Sequence, residues 1–201
     1  MARGDEITTK FKVDISDLKS GISEDNQQIK LANAEFKAAT AGMDDWSKSA
    51  DGIKAKLNQL ESVLSAQKSK LAAYTEELSR QQDAYDKNGK RAEELKAALE
   101  NLANNGVSKT SDEYKKYQNA LDACEAEQEK NKKSIDALKI TVLDQQAAVN
   151  KTEAEIGKYS TALDDLEKNT GEADKDLLSV LQKYHAQSEH KRRPISTFEA
   201  P

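Results

Sequence analysis

The sequence predicts an all-α protein built as a long antiparallel coiled-coil hairpin, with an N-terminal helix ahead of it. Three observations carry this. Ala, Glu, Lys, Leu and Arg supply 95 of 201 residues, a composition typical of long helices when a seven-residue repeat accompanies it. The two prolines are Pro194 and Pro201, so nothing before them forcibly breaks a helix. Apolar residues recur at alternating spacings of three and four over two long stretches. That periodicity decides against disorder, which 33% charged residues and a mean hydropathy of −0.87 would otherwise suggest.

Residues 1–14 hold a brief alternation. Ile7, Thr9, Phe11 and Val13 fall on one side and Thr8, Lys10 and Lys12 on the other, which reads as a short strand. A lone strand needs an edge to pair with, so the competing expectation is a disordered N-terminus. From Ile15 the period changes. Ile15, Leu18, Ile22, Ile29, Ala32, Phe36 and Ala39 form one helical stripe, giving an N-terminal helix over 15–43. Ser16 is the expected N-cap, and Gly42 with Asp44-Asp45-Trp46-Ser47 punctuates the end.

The hairpin is expected over 44–171. In its first arm Ile53, Leu57, Leu60, Leu64, Gln67, Leu71, Tyr74 and Leu78 begin a 4-3-4-3 register that runs to Leu102. It passes unbroken through Asn88-Gly89, so the helix is predicted to continue there despite a glycine costing about 1 kcal/mol. Asn104-Asn105-Gly106 is a stop signal. Thr110-Ser111-Asp112-Glu113 reads as a capping box with Thr110 as cap, so the loop lies near 104–110. The second arm holds sixteen consecutive a and d positions from Tyr114 to Leu166, twelve of them apolar. Residues 172–201 are expected to form a helical extension, then a flexible tail from His185.

Each seam is too narrow to sustain an isolated helix, and a short loop favours antiparallel neighbours. Pairing residues whose numbers sum to 216 sets every a position against a d position. Leu102 then meets Tyr114, Leu99 meets Tyr117, Leu95 meets Leu121, Ala92 meets Cys124 and Leu78 meets Leu138. Asn88 meets Gln128, a polar layer expected to specify register, so replacing both by Leu should stabilise the hairpin and loosen its alignment. The same rule would set Ala50 on Leu166, Phe36 on Val180 and Ala32 on Tyr184, with the N-terminal helix either extending the rod or folding back as a third helix. Glu76 and Arg80, Asp83 and Lys87, and Glu129 and Lys133 are i,i+4 surface pairs.

Chemistry-bearing patterns are absent, and no catalytic, cofactor-binding or metal-binding residue is assigned. His185 and His190 are five apart, the wrong spacing for one helical face. Cys124, the only cysteine, falls at a d position and reads as buried filler. Trp46 reads as core or helix-boundary packing. Lys191-Arg192-Arg193 is too small a basic cluster to make nucleic acid an expected partner, and a net charge of −5 gives no global attraction to polyanions. No stretch approaches the ~18 apolar residues of a membrane span, and no small-molecule substrate is implied.

The N-terminal half resembles the start of phage tail tape measure proteins, particularly those of phages and prophages of Gram-positive bacteria. The resemblance is carried by Glu6-Ile7-Thr8-Thr9-Lys10-Phe11-Lys12-Val13-Asp14, by the run from Ile29 to Met43, by Trp46-Ser47-Lys48-Ser49, and by the Leu57 to Leu71 heptads. It implies a non-enzymatic structural virion protein that takes part in tail assembly and length determination. The implied partners are the tail tube protein, tail assembly chaperones or further copies of the chain through coiled coils. The implied location is the bacterial cytoplasm during assembly and then the virion tail. The chain lacks the family's apolar membrane-active segment, and Arg193 to Pro201 departs from its pattern, so an N-terminal fragment or truncated prophage form is expected. Without the resemblance, a cytoplasmic coiled-coil adaptor or spacer is the alternative.

Overall fold

The computed structural model describes residues 11–190, with side chains left undescribed at 172–177, 180–181 and 183–190. Three long helices account for almost all of it: α1 (Ser16–Thr40), α2 (Ala50–Asn104) and α3 (Asp112–His190), with one 3₁₀ turn, Trp46–Lys48, between α1 and α2. The first arm is the 55-residue α2, about 80 Å long at ~1.5 Å per residue. It runs through Gly89 without interruption. α3 passes through Gly171 and past His185 to His190, so the tail expected from His185 begins with helix, and residues 191–201 lie outside the described part.

Both ends of the connecting loop are set by local hydrogen bonding. Gly106 takes a positive φ of 79°, which its missing Cβ permits. Its N–H donates to the Ala103 carbonyl and the Val107 N–H donates to the Leu102 carbonyl, both at 3.0 Å. These two bonds satisfy carbonyls that the helix end would otherwise leave unpaired. The start of α3 corrects the expected capping box. Ser111, not Thr110, is the cap, and its hydroxyl accepts from the Tyr114 N–H at 3.2 Å. Thr110 is engaged with Ser108 instead, which places Glu113 one position too early to reach back to the cap.

α2 and α3 pack side by side in the predicted register. Ala92, Leu95, Leu99, Ala120, Leu121 and Cys124 form a buried cluster next to the loop, with Tyr114 and Tyr117 packed against it. Farther along, Ile53, Leu60, Ile135 and Val149 are buried on the same seam. Three ion pairs cross between the helices: Lys96 with Glu125 at 2.7 Å, Lys68 with Glu153 at 2.8 Å and Lys54 with Glu167 at 3.0 Å. Their side chains are about half exposed, so each stabilises little. Their diagnostic value is larger, because all three fit one alignment from loop to open end and exclude a slip between them. Of the expected surface pairs, Glu76–Arg80 and Glu129–Lys133 close to 3.7 and 3.6 Å. Asp83 and Lys87 do not pair and instead line a groove beside Phe11 to Asp17.

α1 folds back along α2, which replaces the pairing of Phe36 with Val180 and Ala32 with Tyr184. Lys70 donates to Asn26 at 3.1 Å and Gln59 donates to Asn33 at 2.6 Å. Residue numbers thus rise on α1 as they fall on α2, so the two helices are antiparallel. Ala32 is buried, and the groove beside it is lined by Phe36, Ala39, Ala55 and Ser62. The reversal occurs at an aromatic corner. The Trp46 ring meets Phe36 edge-on at 5.1 Å and Tyr159 of α3 at 5.7 Å, tying all three helices together. Asp45 holds the turn by accepting from the Ser47 N–H and hydroxyl, and Ser49 caps α2 by accepting from the Gly52 N–H at 3.0 Å.

At the start of α1 the expected cap is not Ser16: the N-cap position is Ile15, whose side chain caps nothing. Ser16 is already helical, and the Asp14 carboxylate accepts from its N–H at 2.9 Å and its hydroxyl at 2.7 Å. Those bonds from Ser16 hold the Asp14 carboxyl below its ordinary range. No strand forms among the described residues; Ile7 to Lys10 lie outside them, and Phe11 to Val13 pair with no other strand.

Candidate interaction site

The segment before α1 docks onto the middle of the hairpin, and its anchor is a single amide. Asn88 sits at a d position of α2 and is fully buried. Its Oδ1 accepts from the Phe11 N–H at 2.8 Å, and its Nδ2 donates to the Phe11 carbonyl at 3.0 Å. A side-chain amide thereby offers a backbone the same donor and acceptor that a neighbouring strand would offer. Val13 and Ile15 form one side of a groove whose other side is Gln81, Glu127, Asn131 and Ser134 from both arms. The Phe11 to Asp17 side of the segment borders a second groove of about 340 Å³ with Arg80, Asp83 and Lys87.

This arrangement corrects the expected Asn88–Gln128 layer. Gln128 lies across Gly89, where a Cβ would sit 2.7 Å from its Nε2. Glycine there makes room for the glutamine amide and is not a helix stop. The polar track continues below. Asn131 Nδ2 donates to Gln81 Oε1 at 3.3 Å, and Gln81 Nε2 donates to Glu77 Oε1 at 2.7 Å. Glu77 is 1% exposed, with its second oxygen 3.5 Å from Arg80 Nε. One turn along the seam from Leu71, Gln145 donates to the Gln67 carbonyl at 3.1 Å. Polar seam residues therefore bind backbone and one another on the diagonal, not directly across.

The arrangement is suited to holding an extended polypeptide, since it presents amides, a carboxylate–guanidinium pair and grooves of mostly polar side chains. Nothing in it pairs a nucleophile with a base. Among the described residues no group of three or more His, Cys, Asp or Glu could hold a metal ion, and no helix is long and apolar enough to cross a membrane. Cys124 sits in the buried cluster beside the loop, where burial pushes its thiol up, opposed by Arg91 and assisted by Glu125. A thiol reagent is expected to label Cys124 at a rate set by opening of the hairpin tip. Rapid labelling of the folded protein would contradict this placement. Trp46 lies at the helix boundary as expected, and the backbone carries His185 and His190 on α3. Lys191 to Arg193 lie outside the described residues.

Sequence reasoning missed the Phe11–Asn88 clasp. The available signal was an asparagine in a seam whose opposite number is amide-bearing too, which invites the wrong partner. No family model matches this chain, and neither a curated protein nor a solved structure is significantly similar to it.

Proposed function

We propose that the chain is a non-enzymatic structural element of a phage tail, corresponding to the N-terminal part of a tape measure protein and acting in tail assembly and length determination. The observation that supports this most is the overlap between the resemblance and the architecture. The stretch from Phe36 to Ser49, which carries the least generic part of the resemblance, builds the aromatic corner that turns α1 back onto the hairpin. Long uninterrupted coiled-coil helices also suit a length-setting role, because each residue adds a fixed rise of about 1.5 Å. The proposed partners are the tail tube protein and tail assembly chaperones, met in the bacterial cytoplasm before incorporation into the virion tail.

The antiparallel fold favours a second reading. A hairpin spans about half of what its residue count would reach as one helix, which fits a cytoplasmic coiled-coil adaptor or spacer presenting its tip to a partner. Purifying intact tails from a lysogen that expresses a tagged chain separates the two. The phage reading expects the tag to co-purify with the tail tube protein in stoichiometric tails. Its absence from intact tails contradicts that reading and leaves the spacer.

A further inference from the structure

We infer that the outer face of α3 is a self-association surface, on which a second copy of this chain packs antiparallel about a two-fold axis beside Ala148 and Val149. α3 carries two stripes. One faces α2. The other, on the opposite side, runs Ile140, Leu143, Ala147, Asn150, Ala154, Gly157 at spacings of three and four, without a charge. All six are exposed, Ile140 at 63% and Leu143 at 70%. Uncharged heptad spacing on a helix already satisfied by its own partner is the pattern of a second helix contact.

Gly157 fits the same contact, although Gly21 and Gly171 share its empty Cβ position. A glycine inside an exposed helix costs about 1 kcal/mol relative to alanine. Nothing in the chain lies within 4 Å of where its Cβ would be, so packing within this chain gives no reason for it. A self-complementary alignment does. With the axis placed as above, Ile140 lies over the partner's Gly157, Leu143 over the partner's Ala154, and Ala147 beside the partner's Asn150. Large residues thus meet small ones along the whole contact.

The stripe excludes the one-heptad slide that sets Leu143 against the partner's Ala147, because it would carry Asp136 and Lys133 into the contact, and charge agrees with the alignment proposed. That alignment sets Asp144 against the partner's Lys158, and Lys139 against the partner's Glu153, each twice by symmetry. Glu153 already pairs with Lys68 and would bridge two cations. Lys151 meets its own copy at the axis, the one opposed contact. Sliding by one heptad in the direction that sets Leu143 against the partner's Thr161 would instead place Asp144 on the partner's Asp165 and Lys151 on the partner's Lys158. The inference stands on these residues alone and is independent of the phage reading.

Sedimentation velocity of the full chain tests it. The wild type is expected to show a concentration-dependent dimer over roughly 1–100 μM. Ile140→Glu with Leu143→Glu should give a monomer with unchanged far-ultraviolet circular dichroism, since both side chains lie in solvent within one chain. Asp144→Lys should weaken the dimer about tenfold, and adding Lys158→Asp should restore it. A wild type that stays monomeric, or a Glu double variant that dimerises as tightly as the wild type, overturns the surface. A charge swap that fails to restore association overturns the antiparallel alignment.

Discussion

Gly52→Ala is expected to unfasten α1 from the hairpin and to destabilise the protein by about 3 kcal/mol. The Cβ it introduces would stand 2.2 Å from the Trp46 carbonyl oxygen and 2.8 Å from the Ser49 hydroxyl. The first is backbone, and the turn that carries it is held at the Asp45–Ser47 bonds and by the Trp46 ring between Phe36 and Tyr159. Relief therefore requires the corner to move, which costs the cap at Ser49 and both ring contacts. Thermal unfolding should shift downward, and hydrogen exchange should show α1 opening ahead of the α2–α3 seam. Gly89→Ala is the control. Its Cβ meets only the end of a flexible glutamine, and the gain in helix propensity is about 1 kcal/mol, so stability should hold or rise. Equal damage from both substitutions would contradict the account of the corner.

Asn88→Leu is expected to release the segment before α1 while leaving the hairpin intact. The substitution removes both bonds to Phe11, and an unmatched buried polar group costs ~1–3 kcal/mol, so the Phe11 backbone should return to water instead of staying docked without a partner. Leucine at this d position extends the apolar seam, which keeps the hairpin's own melting temperature level or raises it. Hydrogen exchange at the Phe11 N–H should accelerate by about tenfold or more, the equivalent of ~1.4 kcal/mol. Protection there that survives the substitution would mean that Val13 and Ile15, and not Asn88, anchor the segment.

These outcomes separate what was legible in the sequence from what was not. The seam was legible because a and d positions repeat without a slip through each arm, and a short loop leaves only one way to set them together. The ion pairs at Lys54, Lys68 and Lys96 then follow from the same alignment. The partner of Asn88 was not legible, because it is a backbone, and a backbone has no side-chain identity to announce it. The direction of α1 was not legible from its stripe either, since the stripe suits an extended rod and a folded-back helix equally. The signal lay on α2, where Val63, Ala66 and Ala84 are buried although they fall outside the a and d positions. Those residues mark a second contact on α2, covered by α1 and, at Ala84, by the segment before it. The Asp14 bonds to Ser16 and the cap at Ser111 are one- or two-residue departures decided by which hydroxyl or carboxylate reaches a free N–H, a matter of geometry that residue type alone does not settle.

The hairpin's alignment is the claim on which the rest depends. A variant with Leu78→Cys and Leu138→Cys, oxidised at low protein concentration, tests it most directly. The two positions face each other across the middle of the seam, far from the loop, so the account predicts a disulfide within one chain and a faster-migrating monomer on non-reducing gels. Failure to cross-link within the chain, or efficient cross-linking only when position 138 is exchanged for 131 or 145, would contradict it.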